Sequence, residues 1–310
     1  MKNTSLCKRT LNAIKLSLVL ISITFFPVIA SGSLLAYEGF TAGTDSSQGE
    51  YLADNGSDPL RHLLTNQNPA ATAGTSFGFN GAWSEASGGR FELGAEPLPS
   101  LSYNDGTHSL LTSGNVAYRR FEFGISSRAL NPLPTLPGDN LYISFLMKLE
   151  NANTQGRLEL GPQAETSTGT GLRIRAQNGN FVASVRGANT TLAPTDTDTH
   201  LFVWRVNFGA GGAFDWGLWM DPTDLTSELA PDFTGSGSDL ILDHLVMQRD
   251  TGGTDGIGLA FDELRIGETW ESVTPIPEPA TYGLIGGLLA LAAVLRRKFV
   301  GSKKQSNPAL

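Results

Sequence analysis

The sequence predicts an all-β protein, built as a two-sheet antiparallel β-sandwich, and three observations lead to this prediction. Several segments alternate apolar and polar residues with period two, which is typical of half-buried strands. The 36 glycines and 16 prolines are distributed between these segments as turn residues. No intervening segment shows a convincing helical period longer than two turns. Antiparallel strands at this spacing favour a sandwich or jelly roll over a parallel sheet.

Residues 1–30 have the order of a secretory signal peptide. The basic residues Lys2, Lys8, Arg9 and Lys15 precede the helical apolar run Leu16 to Ala30. Small residues from Ala30 to Gly32 predict cleavage near Ser31, and the alternative cut after Ala36 would remove the first strand. The other interpretation is an uncleaved N-terminal anchor, which the short apolar run and the small residues after it disfavour.

The single cysteine, Cys7, lies before the apolar run and leaves with the signal peptide. The mature chain then has no thiol. Disulfides, cysteine-ligated zinc and a cysteine nucleophile are therefore excluded together, and the core alone must hold the fold.

Residues 31–274 carry the strand patterns and form the predicted sandwich. Leu141 to Leu149 alternates over nine positions, which predicts a half-buried strand. Leu172 to Ala176 and Phe181 to Val185 continue the alternation on either side of Asn178-Gly179. This dipeptide tolerates the positive φ of a type I′ turn, so we expect a hairpin here.

A second hairpin is predicted where 202–208 and 214–220 flank the loop GAGGA. Both of its strands present an aromatic-rich face, which another sheet must cover. Further strands are predicted over 34–40, 118–124, 240–248 and 259–267.

The charge of the domain makes nucleic acid an improbable partner. Of the 22 basic residues, four lie in 1–30 and five in 296–310, which leaves 13 against 30 acidic residues and a net charge of −17 between those ends. Such a surface repels a phosphate backbone. Solubility after export is a sufficient reason for the acidic surface.

The C-terminal segment predicts a single short transmembrane helix over 280–295. This uncharged stretch spans about 24 Å as a helix, less than the hydrocarbon core of ~30 Å. The basic cluster Arg296, Arg297 and Lys298 follows it and places the tail, 299–310, in the cytoplasm. The domain before it would lie outside the membrane.

The triplet Pro277, Glu278 and Pro279 immediately precedes this helix. In its order of Pro-Glu-Pro motif, short apolar helix and basic cluster, residues 275–298 resemble the PEP-CTERM sorting signal of exported bacterial proteins. The resemblance implies recognition by a membrane-embedded exosortase, with the triplet as the recognition element. The alternative is an ordinary C-terminal anchor that no sorting enzyme recognises.

Three segments of the domain resemble concanavalin A-like, laminin-G-like jelly rolls. They are LLAYEGF at 34–40 with GFNGAWSE at 78–85, the pair FVWRVNF and FDWGLWMDP at 202–222, and FDELRIGETWESVTP at 261–275. In that fold the first and last strands pair, so the resemblance implies that 34–40 lies beside 259–267.

The sequence contains no recognisable catalytic centre. Glycoside hydrolases of this fold place carboxylates alternately on one strand face, but Glu-x-Asp-x-Glu does not occur. Asp262 and Glu263 are adjacent, so on a regular strand they should point to opposite faces, beside Arg265. The four histidines lack metal-ligand spacing, and no Gly-x-Ser-x-Gly motif occurs.

Calcium is the one cofactor that the resemblance suggests, through loop carboxylates at the sandwich rim. The candidate loops contain Asp54, Asn55 and Asp58, then Asp196 and Asp198, then Asp250 and Asp255. Turn formation is the default role of such residues. Trp219 is the one tryptophan singled out as a test of glycan contact, because it lies on the face opposite the apolar alternation of its strand, but packing under a loop is its favoured role.

The sequence therefore favours a non-enzymatic exported surface or extracellular-matrix protein. A carbohydrate-binding, lectin-like module that attaches to exopolysaccharide is the alternative, followed by a divergent glycoside hydrolase or lyase. The sorting signal is compatible with all three, because it concerns location and not activity.

Overall fold

The computed structural model describes residues 33–43, 51–52, 62–64, 76–87, 91–93, 100–110, 112, 116–119, 124–162, 170–249 and 258–276. These ranges contain nineteen strands and the short helix α1 (Trp270–Val273). The strands are, in chain order, β1 (Leu34–Glu38), β2 (Ala42–Gly43), β3 (Tyr51–Leu52), β4 (His62–Leu63), β5 (Ser76–Phe77), β6 (Phe79–Ser87), β7 (Glu92–Leu93), β8 (Ala117–Arg119), β9 (Gly124–Leu130), β10 (Asn140–Leu149), β11 (Gly156–Gly161), β12 (Leu172–Gln177), β13 (Asn180–Val185), β14 (Ala188–Pro194), β15 (Thr199–Phe208), β16 (Ala213–Met220), β17 (Phe233–Ser238), β18 (His244–Arg249) and β19 (Leu259–Gly267).

Two large antiparallel sheets confirm the predicted β-sandwich. The ten-stranded sheet has the order β17-β16-β15-β10-β19-β8-β7-β4, and β1 pairs with both β19 and β5. The seven-stranded sheet has the order β14-β13-β12-β11-β18-β9-β6. The remaining strands, β2 and β3, form a parallel pair. Among the described residues no helix is long and apolar enough to cross a membrane. The predicted signal helix (1–30) and membrane helix (280–295) lie outside those residues.

Several sequence predictions are confirmed at the level of single strands. β1 pairs antiparallel with β19, with Leu34 opposite Gly267, as the jelly-roll resemblance implied. Asn178 and Gly179 adopt φ values of 52° and 74° between β12 and β13, which is the conformation that a type I′ turn requires. The strand predicted from Leu240 begins only at His244, because Asp239 at φ 55° turns the chain and the following residues run outside the ladder.

The main core lies between the sheets and is rich in aromatic rings. Phe181 of the seven-stranded sheet meets Phe202 of the ten-stranded sheet edge to face, with 5.7 Å between ring centroids. Trp204 and Trp216 form a second edge-to-face pair at 5.4 Å. A Cβ at Gly235 would lie 2.6 Å from the Trp216 ring, so glycine lets this ring cover the backbone of β17.

A buried ion pair also joins the two sheets. Arg128 of β9 points into the sandwich, and its Nη1 lies 3.0 Å from Oε2 of Glu38 on β1. The Ser76 hydroxyl donates to Glu38 at 2.8 Å, and Arg128 also donates from Nε to the Gly81 carbonyl at 3.0 Å. Both charged side chains are at most 1% exposed. The pair therefore fixes β1 against β9 through charge-assisted hydrogen bonds.

Candidate functional site

The outer face of the ten-stranded sheet is closed by a second apolar cluster. Segments 100–110 and 221–232, together with α1, supply the covering side chains. The cluster contains Leu101, Leu110, Val116, Tyr142, Leu146, Leu201, Val203, Trp219, Leu225, Ala260, Trp270 and Val273. Polar contacts hold the covering segments on the sheet. The Tyr142 hydroxyl donates to Glu228 at 2.6 Å, and Arg205 forms an ion pair with the same carboxylate. Burial and the Glu228 carboxylate raise the pKa of the Tyr142 hydroxyl.

Trp219 belongs to this cluster, so it packs under a loop, which is the role that the sequence favoured over glycan contact. Only 2% of the residue is exposed. Its ring meets Trp270 edge to face at 5.1 Å, and its Nε1–H donates to the Leu229 carbonyl at 3.1 Å. The ring therefore packs under the loop 221–232 and has no open face for a sugar to stack on.

The structure also corrects the prediction for Asp262 and Glu263. A β-bulge shifts the register between β10 and β19, and Glu263 adopts φ 53° within it. Both carboxylates consequently reach the same outer face: Asp262 accepts from the Leu101 N–H at 2.8 Å, and Glu263 accepts from the Tyr37 hydroxyl at 2.9 Å. Burial, and then the Glu263 charge, raise the pKa of Asp262 well above its ordinary value.

Neither carboxylate of this pair is placed to act on a substrate. Both residues are fully buried, and Glu263 forms an ion pair with Arg265 at 2.5 Å. The Arg265 guanidinium in turn lies 5.1 Å from the centre of the Tyr37 ring. The group is therefore a structural network at the bulge.

The outer face of the seven-stranded sheet is polar and carries a charged group in its middle strands. We call this group the polar face. It consists of Ser127 on β9, Arg157 and Glu159 on β11, Arg173 and Arg175 on β12, Ser184 on β13, and His244 and Gln248 on β18. Their neighbours along each strand, such as Leu158 and Ile174, point into the main core. Period two therefore assigns these polar residues to the opposite side of the sheet.

The strand register brings the members of the polar face together in two rows. In one row Arg157 stands opposite Arg175 on β12 and opposite Gln248 on β18. In the next row Glu159 stands opposite Arg173, which itself stands opposite Ser184. Directly opposite residues have Cβ atoms about 4.5–5.5 Å apart. Four neighbouring strands thus present hydrogen-bonding groups within one small area.

Glu159 is the electrostatic centre of the polar face. Its Oε2 lies 3.5 Å from Nε of Arg157 and 3.8 Å from Nη1 of Arg173. The Glu159 side chain is 1% exposed, while those of Arg157 and Arg173 are 13% and 8% exposed. Charged residues are seldom buried on a sheet face unless they are paired, because desolvation is costly. This buried, charged face is therefore the strongest candidate site among the described residues.

Two other polar clusters connect loops. Asp105, His108 and Asp224 offer metal-ligand atoms within 4.8 Å of one another. However, the Asp105 carboxylate already accepts from the N–H groups of His108, Thr107 and Leu225. Although desolvation opposes ionisation, these hydrogen bonds lower the pKa of Asp105 to about 2.

The second cluster contains Asp196, one of the calcium candidates. Its Oδ1 lies 2.8 Å from Nε2 of His200, whose Nδ1 lies 2.6 Å from Asp221. Burial opposes protonation of His200, but the two carboxylates raise its pKa above the ordinary value. Asp196 therefore forms an ion pair with the buried His200, while half of the Asp196 side chain stays exposed. The other candidate loops, with Asp54, Asn55, Asp58, Asp250 and Asp255, lie outside the described residues.

The structure likewise does not describe the residues of the predicted sorting signal. Pro277, Glu278 and Pro279 and the cluster Arg296, Arg297 and Lys298 lie outside the described residues.

For the polar face, the sequence pattern showed Arg173 and Arg175 alternating with apolar residues, but only as evidence for a strand. Arg157, Glu159 and Gln248 carried no signal of their own, since their proximity depends on pairing between strands that are distant in sequence.

Comparisons with known proteins give distant structural similarities. No protein-family model and no curated protein matches the chain. An endo-β-1,4-glucuronan lyase from the fungus Trichoderma reesei is 11% identical, with a TM-score of 0.40 over 78% of this chain and 99% of the other. A carbohydrate esterase from the Shiga toxin-encoding bacteriophage phi24B is 13% identical, with a TM-score of 0.35 over 60% and 90%.

The carbohydrate recognition domain of Emp47p is 9% identical, with a TM-score of 0.33 over 55% of this chain and 86% of that domain. At these identities and TM-scores, none of the similarities carries an argument about activity.

Proposed function

We propose that the chain is a non-enzymatic exported surface protein whose β-sandwich binds carbohydrate through the polar face. The observation that carries this proposal is the set of donors and acceptors on four adjacent strands. Arg157, Arg175 and Gln248 stand in one row, next to Glu159 and Arg173 in the other. Sugars present hydroxyl groups at short intervals, so a rigid array of polar side chains on strands suits them.

The number of carboxylates on this face supports carbohydrate binding over hydrolysis. Hydrolysis of a glycosidic bond ordinarily uses two carboxyl groups on either side of the bond. Glu159 is the one carboxylate among the described outward-pointing residues of β9, β11, β12, β13 and β18. It already contacts two guanidinium groups. This arrangement supports a role of Glu159 in orienting the more exposed Arg157 and Arg173 side chains, and not in direct contact with a ligand.

Glu159→Gln should weaken glycan binding at least tenfold, because it removes the charge that orients the Arg157 and Arg173 side chains. The measurement is glycan-array binding of the full chain in nonionic detergent, followed by titration of the best ligand. Glu271→Gln on α1, which lies at the other sheet, is the matched control and should bind normally. A full chain that binds no glycan, or equal losses in both variants, would contradict the proposal.

We further propose that residues 275–298 act as a PEP-CTERM-type sorting signal for an exosortase-type enzyme. The chain would first be held in the membrane with its tail, 299–310, in the cytoplasm, and then be sorted to the cell surface, where exopolysaccharide is the expected ligand. We expect the prolines on either side of Glu278 to favour an extended backbone there, which would suit recognition by an enzyme.

Glu278→Ala should leave a full-length precursor in the membrane, because the variant lacks the charge of the recognition element. Immunoblots of membrane and surface fractions measure this. Glu271→Ala removes a nearby acidic residue from α1 and should be processed normally. Normal processing of Glu278→Ala would show that no sorting enzyme recognises the triplet. An ordinary C-terminal membrane anchor would then explain the segment better.

A further inference from the structure

We infer that the folded domain controls access to its own sorting signal. Residues 270–276, called here the docking segment, lie on the outer face of the ten-stranded sheet and must detach before an exosortase-type enzyme can reach the triplet at 277–279. This inference rests on the proposed sorting function and concerns its regulation. It is carried by the contacts of the docking segment and by the short stretch of chain between that segment and the predicted membrane helix.

The docking segment is attached to the sheet by apolar burial along its length. Trp270 is 3% exposed, and Val273 is fully buried. The Trp270 ring contacts Trp219 edge to face at 5.1 Å, and Ile276 packs against the same cluster. The chain is therefore still in contact with the domain at the last residue before the triplet.

Hydrogen bonds hold the docking segment as well. Ser144 of β10 donates its hydroxyl to the Val273 carbonyl at 2.6 Å. The Trp270 indole N–H donates to the Leu225 carbonyl at 3.1 Å. Thr274 is 1% exposed, and its hydroxyl lies 2.9 Å from the Trp270 carbonyl and 3.1 Å from the Leu225 carbonyl. These bonds add to the apolar contacts and favour the docked state.

The chain leaves little room between the docked segment and the membrane. The triplet directly follows Ile276, and the predicted membrane helix begins at Ala280. Fully extended, the chain from Ile276 to Ala280 spans at most roughly 14 Å. A single α-helix with its side chains is already about 10–12 Å across. An enzyme that encloses the triplet from both sides needs more space than this, so the docked segment blocks its approach.

Detachment of the docking segment would remove this block without unfolding the sandwich. β19 ends at Gly267, before the segment begins, so its pairing with β1 and β10 stays intact. The seven released residues add up to roughly 25 Å of extended chain. Short surface elements open at lower free energy than the core of a domain. The sorting rate should therefore follow the fraction of molecules in which the segment is detached.

A linker insertion tests whether space limits the sorting step. The full chain is expressed with an exosortase-type enzyme, and pulse-chase labelling measures the rate at which the precursor is processed. Eight Gly and Ser residues inserted between Ile276 and Pro277 should raise this rate at least about tenfold, because only a minor detached state of the wild type reacts. The same linker inserted between Gly211 and Gly212, in the β15–β16 loop, is the control and should leave the rate unchanged.

Thr274→Val tests the docking contacts themselves. Valine keeps the shape of the side chain but lacks the hydroxyl hydrogen, so the detached fraction and the processing rate should both rise about fivefold. Hydrogen exchange of residues 270–276, measured by mass spectrometry, reports the detached fraction, and thermal melts show that the sandwich stays folded. Thr234→Val, at an exposed position of β17, is the matched control and should change neither quantity.

The outcomes separate the docking segment from the sorting signal. Equal or slower processing with the linker after Ile276 would refute the inference and leave the sorting signal intact. Faster processing of Thr274→Val without faster hydrogen exchange of residues 270–276 would also refute it. If Glu278→Ala does not reduce processing in either the wild type or the linker variant, the proposed sorting function itself is wrong.

Discussion

Replacing Glu38 with alanine is expected to lower the free energy of unfolding by about 3–5 kcal/mol, because it removes one partner of a buried ion pair. Arg128 Nη1 lies 3.0 Å from the Glu38 carboxylate, and both side chains are at most 1% exposed. The variant keeps the guanidinium charge inside the sandwich without this carboxylate. It also removes the acceptor that the Ser76 hydroxyl uses at 2.8 Å.

Urea unfolding of the full chain, followed by tryptophan fluorescence, measures this loss. Asp239→Asn is the matched control, since it breaks the exposed Arg186–Asp239 ion pair, keeps a side chain that tolerates φ 55° and should cost no more than about 1 kcal/mol. The double variant Glu38→Leu/Arg128→Met should recover much of the lost stability, because apolar residues of similar size avoid the cost of a buried charge. Similar small losses in Glu38→Ala and Asp239→Asn would show that the buried pair does not hold the sheets together.

The strands that could be predicted are those whose pattern is complete within a short segment. β12 and β13 combine strict alternation with Asn178-Gly179, so both the strands and the turn are determined locally. β19 was predicted over its full length, Leu259–Gly267, because its core positions are large and apolar. β14 and β17 carry small and polar residues on exposed edges, and their alternation is too weak to distinguish them from loops.

The bulge in β19 is a feature that the local sequence pattern does not predict. Adjacent residues of a regular strand point to opposite faces. Asp262 and Glu263 depart from this rule because the register against β10 shifts and Glu263 adopts a positive φ. Such a conformation is stabilised by distant contacts, here the Leu101 N–H and the Tyr37 hydroxyl, and these contacts exist only in the assembled sheet.

The polar face was visible from the sequence only in part. Alternation on β12 places Arg173 and Arg175 on one side of a strand, and the sequence alone establishes this. Their approach to Glu159 depends on the register of β11 against β12, and Gln248 enters through β18 from far along the chain. Arg173 and Arg175 therefore become part of a site only when strands that are distant in sequence pair with one another. For this reason, functional residues of sheets are harder to predict than the strands that carry them.

Replacing Trp219 with alanine should lower the free energy of unfolding by about 3–5 kcal/mol and leave the affinity of folded protein for polysaccharide unchanged. The residue is 2% exposed and contacts Trp270 at 5.1 Å, so its removal opens a cavity beneath the loop 221–232. Arg205 would also lose the ring that its guanidinium approaches to 5.7 Å. A tryptophan that stacked on a sugar would show the opposite effects, with a large loss of affinity and a small loss of stability.

Trp219→Phe separates packing from the polar contact of the indole. The phenyl ring keeps most of the contact with Trp270, but it cannot donate to the Leu229 carbonyl as Nε1–H does at 3.1 Å. We expect this variant to lose about 1–2 kcal/mol, since one hydrogen bond and part of the ring volume are removed. Urea unfolding and polysaccharide titration on the same preparations test both expectations. Loss of polysaccharide affinity in well-folded Trp219→Phe would place the ligand on the ten-stranded sheet, and the polar face would then lose its assigned role.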